Sequence, residues 1–468
     1  MVLNSLLLPA LASRAIAVPA YPRGGDVGVV HLGLGAFHRA HQALVFDNLL
    51  QAGDTRWGLL GVAMHSSGVA AALAAQDGLY SVQVADSAGA SWQVCGAIWQ
   101  TCVAAHDPAQ VVRHIAAPST RWITLTVTEK GYGPELATLL VQALAARHAA
   151  GLGGLTIASC DNLTDNGRKL QALCLQAAQT HGQALTDWIN QACAFPNSMV
   201  DRIVPASSPA CRAAALQALG VDDQAPLATE AFWEWVIERR LVDAGDAAVL
   251  AGAGVTVVDD VAPFEEAKLR LLNGSHSALA CIGAVAGLPT VSECIGHAGI
   301  HRFVHGLMTH EVGPLVRRPD WPDYRDALLA RFANPALQHS VHQIASDSSQ
   351  KIPQRWVPCI HAALSAGLPV ERLAFAAAAW MRYLRGVDQH GQSYSMRDPM
   401  AAQLQALALA HGEDVTAAVQ ALGTLRGIWG SRLAQDRHWL SLCAHWLDRI
   451  TRFGVLGAMQ QIENPHEN

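Results

Sequence analysis

Short apolar runs alternate with longer stretches of helical period through the first half of this chain, and the second half keeps the helical period almost alone. Val27-Gly-Val-Val-His-Leu32 is a β-rich run that meets Gly33 and Gly35 and then passes into a helical pattern. Further strands are predicted at residues 57–64, 122–128 and 155–159, with a helix at 135–150 between them. Such alternation predicts a parallel sheet with helices on both faces. Strand-like runs continue to 255–258, and beyond Pro263 segments such as 372–384 and 414–427 carry only the helix period. The expected fold is therefore α/β, a doubly wound N-terminal domain at 1–259 followed by a mainly α-helical domain at 260–468.

Composition narrows the function. A chain of 468 residues is too long for one core. With 51% hydrophobic and 15% charged residues, disorder is not expected. A net charge of -6 without a basic run argues against nucleic acid and leaves a small molecule as the expected partner. The longest apolar stretch, 278–291, is too short for a membrane span and contains Pro289, so no membrane partner is expected. The opening Met-Val-Leu-Asn-Ser-Leu-Leu-Leu-Pro imitates a signal peptide but lacks a basic start and is broken by Pro9. Ten scattered Cys without a paired spacing read as reduced thiols, which points to the cytoplasm.

Candidate chemistry starts at the glycine loop. A Gly-x-Gly directly after a strand lets the backbone approach a pyrophosphate. Here His38 stands where the generic fingerprint has its third glycine, so the loop reads equally as a plain strand-to-helix turn. Residues 59–76 contain no Asp or Glu to hold the ribose hydroxyls, only His65, Ser66 and Ser67, which leaves NAD and NADP both open. His38 and His41 lack a third ligand at suitable spacing, and no metal is expected.

Lysine supplies the second signal. Of 32 basic residues only Lys130, Lys169, Lys268 and Lys351 are Lys. Arg stays charged at any working pH, whereas a desolvated Lys can lose its proton, so a retained Lys is a candidate general base. Lys268 stands out because Asn273 and His276 follow it in one apolar segment.

Together these segments resemble the polyol-specific long-chain dehydrogenases, a family that includes mannitol dehydrogenase, arabinitol dehydrogenase and fructuronate reductase. The likeness covers nearly the whole chain. It rests on Gly33-Leu-Gly35-Ala-Phe37-His38-Arg39-Ala-His41-Gln42, Ser159-Cys-Asp-Asn162 with Asn166-Gly167, Pro196-Asn197 through Pro205, and Lys268 through His276. The resemblance implies a Rossmann-like N-terminal domain, with NAD held by Gly33, Gly35, Phe37, His38 and Arg39. It further implies Lys268 as the base, Asn162 and Asn273 as amides that stabilise the substrate oxygen, and His276 as an orienting imidazole. Those residue types suit the chemistry, because hydride transfer to a ketone places negative charge on its oxygen. Glu265 resembles the acid that links the base to bulk water, and Asp201 matches another active-site position or a structural ion pair with Arg202.

Two segments bear on the substrate. Thr126-Val-Thr-Glu-Lys130-Gly-Tyr132 and Asp347-Ser-Ser-Gln-Lys351-Ile-Pro-Gln-Arg355 resemble the uronate-reducing branch, where a carboxylate substrate wants a cation. The resemblance thus implies reduction of D-fructuronate to D-mannonate, with Lys351, Lys130 and Arg355 contacting substrate. A mannitol-type polyol dehydrogenase is the alternative, and a non-catalytic nucleotide-binding protein or a zinc alcohol dehydrogenase fits the residues less well. Oligomeric state is not legible.

Overall fold

Val29 and its neighbours form the centre of a parallel sheet because they are apolar on both sides of the strand. In the computed structural model, which describes residues 1–86, 89–337, 339–412 and 414–463, the chain divides into two units, Met1–Ala262 and Pro263–Asn468. The first begins with β1 (Val29–Leu32), β2 (Leu59–Ala63), β3 (Tyr80–Asp86), β4 (Gly89–Cys95), β5 (Ile98–Val103), β6 (Trp122–Leu125) and β7 (Thr156–Ser159). Five of these pair in parallel in the order β5-β2-β1-β6-β7. Every residue of β1, β2, β6 and β7 is buried, as expected of a parallel sheet covered on both faces. Val29, Leu59 and Trp122 pack on one face with Phe46 and Leu50, and Val30, Leu60 and Ile123 pack on the other with Leu140 and Leu170.

Two smaller sheets were not anticipated. β3 and β4 form an antiparallel hairpin, inserted between β2 and β5, which β9 (Leu227–Glu230) joins in parallel. β8 (Ser198–Asp201), β10 (Glu234–Glu238) and β11 (Thr256–Val258) form the third. The opening segment belongs to this unit as well. Leu3 and Leu11 pack with Leu79, Val94 and Leu219, and the Leu3 N–H donates to the Asp222 carbonyl at 2.9 Å.

The second unit carries no strand among its described residues beyond isolated bridges. Its central helix, Ser275–Ala286, is buried at every position, which explains the apolar run at 278–291, and it ends where Gly287 turns left-handed at φ +79°. No helix among the described residues is long and apolar enough to cross a membrane. Glu311 is fully buried and accepts the Arg372 and Leu373 N–H groups at 2.6 and 2.9 Å, capping the helix Glu371–Tyr383 that packs on the central one.

Candidate active site

Strand order reverses between β1 and β6, so the carboxyl ends of those strands form the switch point where doubly wound sheets bind ligands. Gly33 and Gly35 leave β1 there. A Cβ on Gly33, at φ +99°, would stand 2.2 Å from the Thr126 carbonyl oxygen, so the turn tolerates no side chain. Gly35 is exposed, and the nearest atom to a Cβ there is the Gly33 oxygen at 3.7 Å. One glycine is thus required by the protein's own backbone, and the other leaves room for something else, which fits a pyrophosphate approaching the loop.

The side chains around the loop face inward. His31 bonds through Nδ1 to Thr124 Oγ1 at 2.8 Å and through Nε2 to Thr126 Oγ1 at 2.9 Å, and His38 stacks on it with ring centroids 3.2 Å apart. Burial holds the His31 imidazole down at about 3 and His38 well below its ordinary value, so both rings are neutral. Arg39 is buried, with Nη1 donating to the Ala225 carbonyl at 2.7 Å and Nε to the Gly35 carbonyl at 3.3 Å. His38 and Arg39, expected to hold the cofactor, therefore shape the loop from inside. Phe37 is half-buried against His41, with ring centroids 5.0 Å apart.

Two sequence signatures interlock behind Asn162. Asn166 Nδ2 donates to the Ser198 carbonyl at 2.8 Å, and the Ser198 N–H returns a bond to Asn166 Oδ1 at 3.0 Å. Asn197 Oδ1 accepts the Gly167 and Arg168 N–H groups, while its own amide donates to Glu238 at 3.0 Å. A Cβ on Gly167 would lie 2.4 Å from the Pro196 carbonyl oxygen. These residues hold the β7 exit loop onto β8 and leave Asn162 exposed at its tip. Asp201 is buried at the end of β8. The neighbouring Arg202 donates to the carbonyls of Glu230 and Ala40 at 2.7 Å, and burial lowers it to about 10. Lys130 is exposed on a short 3₁₀ turn, Glu129–Gly131, beyond β6.

Where the second unit begins, the segment Ala262–Ala267 is α-helical, and Lys268–Gly274 is a π turn before the helix Ser275–Ala286. Residues five apart diverge on an α-helix, whereas the wider i to i+5 bonding of a π turn brings them nearer to one another around the axis. Lys268 and Asn273 are thus drawn toward one side of the turn, and His276 stands at the start of the helix that follows. Arg355 braces the turn, its Nη1 donating to the Asn273 carbonyl at 3.2 Å and to Ser277 Oγ at 2.8 Å, and Trp356 Nε1 donates to the Gly274 carbonyl at 2.9 Å. Burial lowers Arg355 to about 10. Glu265 is half-buried in the helix before the turn.

His276 stacks on Phe332 and meets the His339 ring edge-on, with centroids 5.0 Å away in each case. Burial, reinforced by His339, Arg355, Arg331 and Lys351, holds its imidazole well below the ordinary value. Among the described residues no hydrogen bond reaches His276 Nε2 or His339 Nδ1. Lys351 donates to the Ile344 carbonyl at 3.0 Å and to the Ser346 carbonyl, and burial lowers its ammonium. The helix carrying Lys351 and Arg355 is fixed at its start by Asp398, which accepts from Ser349 Oγ at 2.6 Å and Ser349 N–H at 2.9 Å. Arg331 and His339 escape a reading of local motifs, since they lie more than fifty residues from His276. Among the described residues no three His, Cys, Asp or Glu side chains are grouped to hold a metal.

Comparison with known proteins places this geometry. Residues 27–249 match the mannitol dehydrogenase Rossmann domain and residues 260–450 the mannitol dehydrogenase C-terminal domain. Mannitol 2-dehydrogenase of Phaeosphaeria nodorum is 36% identical over 494 residues, covering 98% of this chain and 85% of that one. An uncharacterized oxidoreductase of Escherichia coli, YeiQ, is 35% identical over 460 residues, covering 92% and 93%. Among solved structures, Pseudomonas fluorescens mannitol 2-dehydrogenase in ternary complex with NAD and D-mannitol is similar at 32% identity and TM-score 0.82, covering 99% of both chains. A substrate-free D-sorbitol dehydrogenase is similar at 29% identity and TM-score 0.89, covering 98% of this chain and 100% of that one.

Proposed function

This chain belongs to the mannitol dehydrogenase family, and on that premise we propose that it interconverts an acyclic polyol and its 2-ketose. It is an NAD-dependent dehydrogenase of secondary alcohols. The observation that carries the dehydrogenase chemistry is the π turn Lys268–Gly274, which draws Asn273 toward the side of Lys268 just before His276. NAD, when bound, supplies the hydride acceptor. Lys268 Nζ takes the hydroxyl proton on oxidation and returns it on reduction. Asn162 and Asn273 donate to the substrate oxygen as charge develops on it. His276, neutral, orients the alcohol, and Glu265 passes the proton between Lys268 and water. Gly33 makes the turn and Gly35 leaves the backbone open to the pyrophosphate, with Phe37 beside it.

The names of the relatives favour a neutral polyol such as mannitol over the D-fructuronate expected from sequence. Mixing the purified protein with NAD and D-mannitol or D-sorbitol should raise NADH absorbance. No reduction of NAD by any acyclic polyol, and no oxidation of NADH by any ketose, contradicts the reading.

One observation favours a uronate as a second reading. Arg331, Lys351 and Arg355 all act on His276, a positive field that suits an anionic substrate. Lys130 then serves the carboxylate, with Lys351 on substrate oxygens. Lys130→Gly should raise KM for D-fructuronate more than for D-fructose, and equal effects exclude that role.

The cofactor choice is finer than the family. β2 is followed by Met64-His-Ser-Ser67, and His65 lies 3.9 Å from the carboxylate of Glu135, itself exposed at the start of the helix Pro134–Ala149. Rejecting a 2′-phosphate needs a repulsive group. NADPH should therefore support kcat/KM within about ten-fold of NADH. We place the protein in a reducing cytosol, which suits its ten free thiols.

A further inference from the structure

Three loops leave the carboxyl ends of β1, β6 and β7, and hydrogen bonds tie them together. Thr126 Oγ1 donates to the Gly33 carbonyl at 2.8 Å, fixing the β6 loop to the glycine loop. Asp161 fixes the same β6 loop from the other side. Its carboxylate accepts the Val127 N–H at 3.2 Å, the Thr128 N–H at 2.7 Å and the Tyr132 hydroxyl at 3.1 Å. Tyr132 is also bonded to Ser159 at the end of β7. The backbone of Asp161 is held as well, since the Leu163 N–H and Asn166 Nδ2 donate to its carbonyl at 2.9 and 3.0 Å. The next residue is Asn162.

Inside this clamp Thr128 has φ +65° and ψ 165°. That region is open essentially to glycine alone, and a β-branched residue is the least suited to it. A strained conformation of this kind persists only where its surroundings over-determine it. A turn that merely reversed the chain would take glycine there without steric cost, and Gly131 and Gly133 stand close by. Thr128 is exposed, at the switch point where a nucleotide meets a doubly wound sheet.

We propose that Asp161 is a positioning residue for hydride transfer, and that the strained turn it clamps at Thr128 sets how the nicotinamide end of the cofactor meets the Asn162 amide. The proposal rests on the dehydrogenase reading. Asp161, 7% exposed, acts through the turn on one side and through the adjacent Asn162 on the other. A displacement of about 1 Å at such a place is enough to lose two orders of magnitude in rate. Burial raises the Asp161 carboxyl, and its bonds from Thr128, Val127 and Tyr132 offset only part of that rise.

Two variants separate positioning from folding. Thr128→Gly relaxes the turn and keeps its N–H bond to Asp161. Asp161→Asn keeps the volume but turns an amide donor toward groups that are themselves donors. Each is compared with wild type for Tm, NADH affinity by fluorescence titration, emission maximum of bound NADH, and kcat and KM with the preferred ketose. Thr128→Gly should keep or raise Tm, bind NADH within a few-fold of wild type, and lose about ten- to a hundred-fold in kcat. The emission of its bound NADH should move toward that of free NADH. Asp161→Asn should show the same kcat loss with little change in KM. Wild-type kcat and emission in Thr128→Gly overturn the proposal, as does a kcat loss that vanishes once rates are divided by the folded fraction. Absence of ketose turnover in the wild type refutes the dehydrogenase reading instead, and the emission comparison then decides the positioning claim by itself.

Discussion

In the proposed mechanism Lys268 loses and regains a proton while it stays in a helix, and the π turn draws the Asn273 amide toward it. Lys268→Ala should lower kcat by about two to four orders of magnitude, and NADH affinity measured by fluorescence should be unchanged because the glycine loop is intact. A variant with full turnover assigns the proton transfer elsewhere. The scarcity of lysine makes Lys268 a candidate in the sequence. Arg331 and His339 were not, since nothing in their local sequence connects them with His276, and tertiary packing alone brings them to it. A sequence signature brings out Asn162 as a candidate, but it hides Asp161, whose three side-chain bonds reach the β6 loop, a partner that adjacency in sequence does not reveal.

Among the elements, the glycine loop separates what the fold needs from what a ligand needs. Gly33→Ala forces a Cβ against the Thr126 carbonyl at φ +99°, so it should lower both Tm and NADH affinity. Gly35→Ala meets nothing closer than 3.7 Å, so Tm should hold while NADH affinity falls about ten-fold. Undiminished affinity in Gly35→Ala removes the pyrophosphate from that loop. The first strand also carries an acid sensitivity. His31 is neutral in the fold down to about 3, against an ordinary value of 6.5. The unfolded chain takes up a proton below pH 6.5 that the folded chain refuses, so stability is full above 6.5 and is lost as pH falls toward 3. From pH 6.5 to pH 5 the loss is about 2 kcal/mol. His31→Gln should therefore show a smaller fall in Tm between pH 7.5 and pH 5 than wild type does, and an equal fall assigns the acid sensitivity to other groups. Neither the π turn nor the His31–His38 stack is legible in sequence, because the hydrophobic period is the same for an α turn and a π turn over so few residues.

At the scale of the molecule, the central sheet was legible because its strands are buried on both faces and read as continuous apolar runs. The hairpin of β3 and β4 was missed. Its apolar residues Tyr80, Val82 and Val84 alternate with polar ones, and Ser81 is buried only because Asp223 accepts both its N–H and its hydroxyl at 2.6 Å. The helical second unit was legible in kind, with 372–384 expected and Glu371–Tyr383 found, while the helix expected at 414–427 is two, Val415–Gly423 and Arg426–Leu433. Substrate identity depends on charge at the far end of the sugar, which neither the period nor the catalytic residues encode. The most direct measurement is oxidation of NADH by the purified protein, followed by absorbance, with D-fructose and D-fructuronate at matched concentrations. Reduction of a ketose with D-fructose preferred is the expected result, and preference for D-fructuronate returns the chain to the uronate reading with the same chemistry at Lys268. Oxidation of NADH by neither ketose contradicts the assignment of this chain as a polyol and ketose dehydrogenase.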